Sequence, residues 1–493
     1  MKKIKITLSL LVLISISSCD EFLSETPDNR TQLDSPEKIS DLLVNAYPTA
    51  TDADVAETMS DNVFDPGRQF GAPSLKNQQN YNWELQDEFN IDTQAAYWDA
   101  CYKAIAHANQ ALQAIEEQGS PASLNPQKGE ALLARAYSHF MLVSLWSNHY
   151  NPATAKSDLG IPYVTKPEGE LIKKYTRNTV QEVFDFLQKD IEEGLKYVGS
   201  NYKEPKFHFT KEAGRAFASR FYLVKGDWDK VLEVSSELGS KPVGKLRDFN
   251  SYKTDGFDTQ RIRYASEAEA ANLLVVSNYS IYGRAPYANR YYLSGARNGE
   301  ILGPGTNPFN KSWLYSIFSY YGSITSFVPK FYEYFKYTNQ TAGIGQPYTA
   351  TVLLSNDEFF LNRIEAHVMK NQIAEANAEL EYFLGTRTTG YNATTDKLTE
   401  AIVVAKYPVI ADEFTPFYTL TPLQTSYIKA IAETRRRDFV HEGARWFDVK
   451  RYNIVVVHQN DGQASNTLTK DDKRRALQIP IHVSTSGLEK NPR

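Results

Sequence analysis

Aromatic side chains gather in a few irregular stretches of the chain, beside amide and guanidinium groups. A sugar ring presents C–H groups on its faces and hydroxyls at its rim, so a saccharide site needs flat rings flanked by hydrogen-bonding side chains. The aromatic content of 13%, with 31 Tyr, permits such a site. For any one ring, packing in the interior is the competing explanation, because aromatic residues dominate interior contacts. The candidate ligand-binding residues are Tyr81, Asn82, Trp83, Asn289, Arg290, Tyr291, Tyr292, Trp313, Tyr320 and Tyr321.

One aromatic run has a different spacing. Phe331, Tyr334 and Tyr337 recur every three residues, with Tyr332 beside them. Spacings of three or four residues place side chains on one helix face. We therefore predict that this run is a packing face of a helix rather than a ligand site.

Glycoside hydrolysis is the enzyme chemistry that motifs alone do not exclude, because it needs only two carboxylates about 5 to 10 Å apart. The acidic residues set among apolar neighbours are Glu365, Asp438, Glu442 and Asp448. Arg435, Arg437 and Arg445 lie at helical spacings from several of them, which favours ion pairing within helices. A carboxylate paired with arginine keeps a depressed pKa and is a poor general acid. We therefore interpret these acidic residues as ion-paired within helices rather than as catalytic.

Motifs for metal, phosphate and dinucleotide binding are missing from the sequence. His441-Glu442 has no second histidine four residues after the first, and Gly343-Ile344-Gly345 lacks the third glycine of a dinucleotide loop. We expect no metal and no cofactor, although the sequence leaves open whether a calcium ion shapes a loop. The formal charge of −5, from 54 basic and 59 acidic residues, gives no attraction to nucleic acid.

Cys19 closes an apolar run that follows Lys2, Lys3 and Lys5. The run is too short to span a bilayer, and its basic front and small-residue end are typical of a cleaved secretory signal. A cysteine at the cleavage point predicts a lipoprotein whose lipid on Cys19 is its attachment to the membrane. An ordinary secretory signal with a coincidental cysteine is the alternative. The other cysteine, Cys101, lies on an apolar stripe and is predicted to be a buried structural thiol.

Apolar residues recur at helical spacing in pairs of segments. Residues 101–115 and 133–143 form one pair, and 180–195, 217–224 and 228–238 continue the pattern. Thr179 with Glu182, and Ser355 with Glu358, have the spacing of helix N-terminal capping boxes. The segments 364–368 and 373–383 form another pair. This organisation predicts a mainly α fold of divergent tetratricopeptide-like helical hairpins.

Long irregular segments separate the helical pairs, chiefly 60–90, 245–345 and 385–425. Loops of this length are uncommon in a compact protein unless they carry function. We predict a signal peptide at 1–18, a lipid-anchored flexible tether at 19–35, and a single domain at 36–493. Within that domain we assign the helical scaffold to about 92–240 and 350–452, and the loop-rich ligand-binding part to about 60–90 and 245–345.

The segment from Glu433 to Tyr452 has the sequence ETRRRDFVHEGARWFDVKRY. It resembles the signature of the SusD/RagB family of Bacteroidetes outer-membrane lipoproteins, with Asp438 and Phe439 where Glu and Leu are usual. We expect Arg437, Glu442, Arg445 and Asp448 to form a charge network and Phe439, Trp446 and Val449 to face inward, so we exclude the segment from the binding site. Further matches in the family's order are the helix 130–146 with its Ala-Arg-Ala-Tyr core, Gly160-Ile161-Pro162, the helix 179–197, Leu477-Gln478-Ile479-Pro480 and Asn491-Pro492.

The resemblance implies a SusD-like fold and a nutrient-binding lipoprotein of the outer membrane that faces the cell exterior. Such a protein captures oligosaccharide or polysaccharide and delivers it to a SusC-like TonB-dependent transporter, without chemistry of its own. It further implies that helices near 92–146 and 179–239 face the transporter and that the loops hold the ligand. The alternatives are a RagB-like protein that captures peptides, a glycoside hydrolase on a helical scaffold, and a lid that binds only its transporter.

Overall fold

Helices are the main regular element of the computed structural model, which describes residues 33–68, 71, 73–168, 173–284, 290–321 and 326–493. The long helices coincide with the segments in which apolar residues recur at helical spacing. The helices of these ranges are Pro36–Leu43 (α1), Ala53–Met59 (α2), Leu75–Tyr81 (α3), Gln94–Glu117 (α4), Asn125–Trp146 (α5), Val180–Tyr197 (α6), Lys211–Lys225 (α7), Trp228–Val234 (α8), Phe257–Tyr264 (α9), Gly295–Leu302 (α10), Asn356–Met369 (α11), Ile373–Thr386 (α12), Glu400–Lys406 (α13), Pro422–Asp438 (α14), Ala444–Arg451 (α15) and Ile481–Thr485 (α16).

The helices pack as hairpins, as the sequence predicts. Helix α4 packs on α5, α5 on α6, α7 on α8, and α11 on α12. Thr179 forms the predicted capping box with Glu182 at the start of α6, and the Ser355 side chain accepts a hydrogen bond from the backbone N–H of Glu358 at the start of α11. Gly129 lets α5 approach the end of α6 closely, because a methyl group there would overlap the backbone of Val198. The predicted class of tetratricopeptide-like hairpins with long loops is confirmed.

Seven short strands complete the described structure. The largest sheet is antiparallel, with strand order β1-β5-β4, and the pairs β2-β3 and β6-β7 form two smaller ones. The strands are Asn272–Tyr279 (β1), Tyr320–Tyr321 (β2), Ser326–Phe327 (β3), Tyr332–Asn339 (β4), Ile344–Ser355 (β5), Val456–His458 (β6) and Asn466–Leu468 (β7).

The aromatic run beginning at Phe331 forms strand β4, so its assignment to a helix is wrong. Tyr332 pairs with Ala350 and Tyr334 with Tyr348 across the antiparallel ladder. Tyrosine and phenylalanine suit a pleated, half-buried surface, and pairing with a distant strand overrides a weak three-residue spacing. The aromatic side chains of β4 therefore alternate between the two faces of the sheet.

The signature segment spans α14 and α15 and is structural, as predicted. Phe439, Trp446 and Val449 are buried. The acidic residues Glu365, Asp438, Glu442 and Asp448 are ion-paired, as predicted. The predicted partners of Asp438 and Glu442 at helical spacing, and the predicted network of Arg437, Glu442, Arg445 and Asp448, are wrong, because most partners come from distant parts of the chain. Asp438 pairs with Arg387, Glu442 with Lys330, Glu365 with Arg451, and Asp448 with Arg435 and Arg451; Arg445 pairs with Asp61, and Arg437 donates to the carbonyl of Ile301.

Two features bear on attachment to a membrane. None of the helices in the ranges described above combines the length and apolarity that crossing a bilayer requires. Cys19 and the predicted signal lie outside the described residues, so the lipid anchor stays a prediction. Cys101 is a buried free thiol on α4, as predicted.

Candidate functional site

Two of the candidate tyrosines lie in an interior stack of rings. The rings of Tyr81 and Tyr291 are 4.0 Å apart, the His458 ring lies 4.1 Å from Tyr81 on its other side, and the Trp83 ring lies 4.4 Å from His458. All four planes are within about 12° of their neighbours. Tyr81 is 0% exposed and Tyr291 5%. These rings already have aromatic partners on their faces, so they leave no open face for a sugar.

The other large candidates are also interior. The Trp83 indole donates to the carbonyl of Met59 at 2.9 Å, Tyr292 hydrogen-bonds Asp54, and Trp313 is buried beneath the guanidinium of Arg437. We therefore revise the expectation that these rings contact ligand directly. Their burial gives them a packing role beneath the loops, which is the alternative that the sequence had left open.

The remaining candidates divide by position. Arg290 is buried in a two-bond ion pair with Asp65, at 2.5 and 2.7 Å, while Asn82 caps the end of α3. Asn289 lies outside the described residues, and of Tyr321 the structure describes the backbone in β2 only. Among the predicted aromatic residues whose side chains the structure describes, Tyr320 is the one that is partly exposed.

Buried charge holds the loop-rich part against the helical scaffold. Every residue of α2 is buried, including Asp54 and Glu57. Glu57 accepts hydrogen bonds from the Asn62 side chain at 3.0 Å and from the backbone of Gly443 at 3.3 Å. The Arg445 guanidinium donates two hydrogen bonds to the Asp61 carboxylate, at 2.8 and 2.9 Å. The signature segment therefore positions the loop that follows α2, although it does not reach the surface where ligand could bind.

Tyr320 belongs to a cluster of three partly exposed rings. Tyr320 and Phe327 are directly paired across β2 and β3, with ring centroids 6.2 Å apart. Phe257, the first residue of α9, packs edge-on against both, at 5.0 and 5.1 Å. Edge-to-face contacts at these distances are favourable ring geometry, so the cluster is ordered before any ligand arrives.

Two polar atoms beside these rings lack partners. Arg261 lies one helical turn after Phe257, with its guanidinium 5.6 Å from that ring and 5.9 Å from the ring of Tyr332. Its Nε has no hydrogen-bond partner among the described residues, and neither has Oε2 of Glu333, although both atoms are buried. A buried polar atom left unsatisfied costs about 1–3 kcal/mol, so a donor and an acceptor are available to a ligand or to water.

The carboxyl of Glu333 has a raised pKa. Burial raises the pKa of its carboxyl, whereas the charges of Arg284 and Arg261 act in the opposite direction. Its Oε1 lies 3.2 Å from the Arg284 guanidinium. We call Phe257, Arg261, Tyr320, Phe327 and Glu333 the Tyr320 cluster. Rings flanked by one donor and one acceptor can stack on a sugar and bind the hydroxyls at its rim.

Two carboxylates near the Tyr320 cluster are engaged in ion pairs, Asp255 with Arg263 at 2.9 Å and Asp258 with Arg261 at 2.9 Å. Carboxylates held by arginine are poor general acids, and a glycosidase needs a pair of working carboxyl groups. Within the described residues, no group of three or more His, Cys, Asp or Glu side chains is placed to hold a metal ion.

Tyr320 was among the candidates from the sequence, whereas the other four members of the cluster were not. Phe257 and Arg261 have the i, i+4 spacing of one helix face, which was the available signal. Nothing local indicated that β2 and β3 would pair, or that Glu333 would lie beside a helix some 70 residues earlier in the chain.

Comparison with known proteins identifies the relatives of this chain. Residues 21–223 match the SusD-like family described as "Starch-binding associating with outer membrane". No curated protein matches the chain. Among solved structures, a SusD superfamily protein from Bacteroides thetaiotaomicron has 18% identity and a TM-score of 0.68, covering 93% of this chain and 100% of its own.

Two more solved structures are similar over nearly their whole length. A SusD-like carbohydrate binding protein from Bacteroides vulgatus has 15% identity and a TM-score of 0.66, covering 92% of this chain and 97% of its own. A SusD superfamily protein from Bacteroides fragilis has 16% identity and a TM-score of 0.62, covering 92% and 99%. At these identities the structural likeness establishes the fold. The N-terminal part of the chain, residues 21–223, is therefore similar in sequence to the SusD-like family, and the described residues have the fold of solved SusD superfamily proteins.

Proposed function

We propose that this protein binds glycans at the outer surface of the outer membrane, through the Tyr320 cluster, and delivers them to a partner TonB-dependent transporter. The observation that carries the proposal is the set of three partly exposed rings beside the unpartnered Nε of Arg261 and Oε2 of Glu333. The family's description as starch-binding and associated with the outer membrane supports the same class of ligand.

Attachment and delivery complete the proposal. A lipid on Cys19 would hold the protein at the membrane, and the hairpins α4–α5 and α6–α8 would face the transporter. The loops between the helices then face outward. In this arrangement Tyr320, with Tyr321 beside it on β2, contacts the ligand, while Tyr81, Trp83, Tyr291, Tyr292 and Trp313 support the loops from beneath.

Calorimetric titration tests the ligand class. A soluble form beginning after Cys19 is titrated with a panel of polysaccharides and with a panel of peptides. We expect at least one polysaccharide to bind. Tyr320→Ala should lower the affinity for it by about tenfold, which is roughly 1.4 kcal/mol. Tyr382→Ala, at a half-buried tyrosine on α12, is the matched control and keeps wild-type affinity. Binding of peptides but of no glycan would replace this proposal with peptide capture.

The transporter step has its own test. Native protein is isolated from outer membranes in mild detergent, and the proteins that accompany it are identified by mass spectrometry. We expect a TonB-dependent transporter in stoichiometric amount, and lipid on Cys19. Recovery of the protein alone, or an unmodified Cys19, would contradict the delivery part of the proposal while leaving glycan binding to the titration.

A further inference from the structure

One face of the sheet β1-β5-β4 is buried where β1 and β5 pair, and it becomes exposed toward the end of β4. Val276 and Asn278 of β1 and Thr349 and Thr351 of β5 point into the protein and are buried. The opposite face carries residues that are partly or fully exposed over its outer half. The side chains of that half are Ser277 and Tyr279 from β1, Gln346, Tyr348 and Ala350 from β5, and Tyr332, Tyr334 and Lys336 from β4.

Four tyrosines line this exposed face, which we call the tyrosine face. Tyr279 pairs with Tyr348, and Tyr348 with Tyr334, so the three form a row across all three strands. Their ring centroids are 6.0 and 6.1 Å apart, and Tyr332 lies 6.1 Å from Tyr334 along β4. Tyr279 at the end of the row is 39% exposed. A row of four rings on the solvent side of a sheet is a large apolar surface for a protein to leave uncovered.

The polar groups of this face are hydroxyls and amides rather than acids. The hydroxyls of Ser277 and Tyr334 hydrogen-bond each other, and Gln346 lies beside Lys336 across the strands. Lys336 places its ammonium 5.3 Å from the Tyr348 ring. Among the described residues of this face there is no carboxylate. Rings with hydroxyl groups and little charge are the surface that a neutral saccharide chain requires, whereas a basic peptide would find no acidic partner here.

The tyrosine face is continuous with the Tyr320 cluster. The Arg261 guanidinium lies between the rings of Phe257 and Tyr332, which belong to the cluster and to the face respectively. Glu333 of the cluster is the next residue of β4, and its side chain lies on the opposite face of the sheet from Tyr332. A ligand bound at the cluster and longer than a few sugar rings would therefore have aromatic contacts available along the sheet.

We propose that the tyrosine face is a second saccharide-binding surface, which holds the distal part of an extended, neutral polysaccharide whose end is bound at the Tyr320 cluster. This inference rests on the proposed glycan binding and adds the size class of the ligand. Stacking contacts spread over several rings favour a polymer over a short oligosaccharide, because each added ring of the polymer is held without a new loss of translational freedom.

The test compares two lengths of one glycan. The polysaccharide found in the titration panel is prepared as the intact polymer and as fragments of two to three sugar rings. The variant Tyr334→Thr/Tyr348→Thr removes the centre of the row with a residue that suits strands. The matched control is Phe335→Thr/Tyr337→Thr, which removes two rings, 47% and 55% exposed, from the opposite face of the same strand. Thermal unfolding confirms that each variant folds, and the single substitution Tyr279→Thr replaces the double variant if it does not.

The expected result separates the two sites. The tyrosine-face variant lowers the affinity for the polymer by about tenfold and the affinity for the fragments by less than twofold. Tyr320→Ala lowers both affinities, and the control variant changes neither. The inference is overturned if the tyrosine-face variant binds polymer like wild type while Tyr320→Ala does not, or if the control loses as much. A wild-type protein that gel filtration shows to be a dimer, and that the tyrosine-face variant makes monomeric, would assign the face to a second copy instead. If neither length binds wild type, the proposed function itself fails.

Discussion

The rings of Tyr81 and Tyr291 lie 4.0 Å apart and within 6° of parallel, although 210 residues separate them in sequence. Their contact joins α3 to the segment just before α10, and Tyr81 also donates from its hydroxyl to the carbonyl of Gln459 at 2.7 Å. Three distant segments therefore meet at one ring. This geometry gives Tyr81 the role of an internal support, and a ligand would have to displace a neighbour to reach it.

Replacement of Tyr81 tests this role. Tyr81→Ala should lower the free energy of unfolding by about 3–5 kcal/mol, as for other buried aromatic residues. Tyr81→Phe keeps the stack and loses one hydrogen bond, at about 1 kcal/mol. Urea denaturation measures both. A Tyr81→Ala protein that is as stable as wild type yet loses glycan binding would show that this ring contacts ligand.

Arg261 should matter for affinity more than for stability. Arg261→Lys keeps the charge but removes Nε, so we expect a loss of about tenfold in glycan affinity by calorimetry. The unfolding free energy should change by less than about 1 kcal/mol, because Asp258, its partner in the ion pair, is largely exposed. Arg297→Lys, at a surface pair with Glu300, is the matched control. Equal affinity for Arg261→Lys and wild type would remove Arg261 from the site.

The buried ion pairs of Arg387 predict a large effect on folding. Its guanidinium bonds to Asp357 at 2.6 Å and Asp438 at 2.8 Å, and its side chain is fully buried. Arg387→Met leaves two buried carboxylates without their cation, which should cost about 3–5 kcal/mol or prevent folding. Lys230→Met removes an exposed pair with Glu233 and should cost less than about 1 kcal/mol. Similar stability of the two variants would contradict the network.

Glu57 predicts a pH dependence of stability. Burial raises the pKa of its carboxyl from 4.5 to about 7, against the hydrogen bonds that it accepts. The folded state therefore binds this proton more tightly than the unfolded chain does. The resulting contribution to the free energy of unfolding is complete below pH 4.5 and is lost as the pH rises through 7. At pH 8 the ionised group costs about 3 kcal/mol.

Glu57→Gln removes this titration. We expect the variant to be more stable than wild type at pH 8, and the difference to shrink or reverse at pH 5, in urea denaturation at the two values. Identical pH profiles for the two proteins would contradict the raised pKa.

Gly129 predicts a steric limit in the scaffold. Gly129→Ala places a methyl group against the backbone of Tyr197 and Val198, which cannot move aside as a side chain could. We expect the free energy of unfolding to fall by about 1–3 kcal/mol. In Gly299→Ala the added methyl group on α10 contacts nothing within 4 Å. The higher helix propensity of alanine should raise the free energy of unfolding by about 0.5–1 kcal/mol. A Gly129→Ala protein as stable as wild type would refute the close approach of α5 and α6.

The sequence predicted the helical hairpins because their signals are local. The Thr179 capping box and the stripe around Cys101 each depend on residues within a few turns. Ion-pair partners were harder to predict from the sequence, since Arg445 lies 384 residues from Asp61 and only the folded chain brings them together. The burial of the candidate rings was hard to predict for the same reason: whether Trp83 faces solvent depends on His458 and Arg474, which no pattern near residue 83 reveals.

The burial of Cys101 has a practical consequence for experiments on ligand capture. Its thiol is fully enclosed on α4, and burial raises its pKa well above the ordinary value, so it stays protonated and slow to react with maleimide reagents. A soluble form that starts after Cys19 thus has no reactive sulfur of its own. One cysteine introduced at Tyr337, at the rim of the sheet, would be the sole attachment point for a fluorophore, and its emission could report in real time when a sugar polymer arrives.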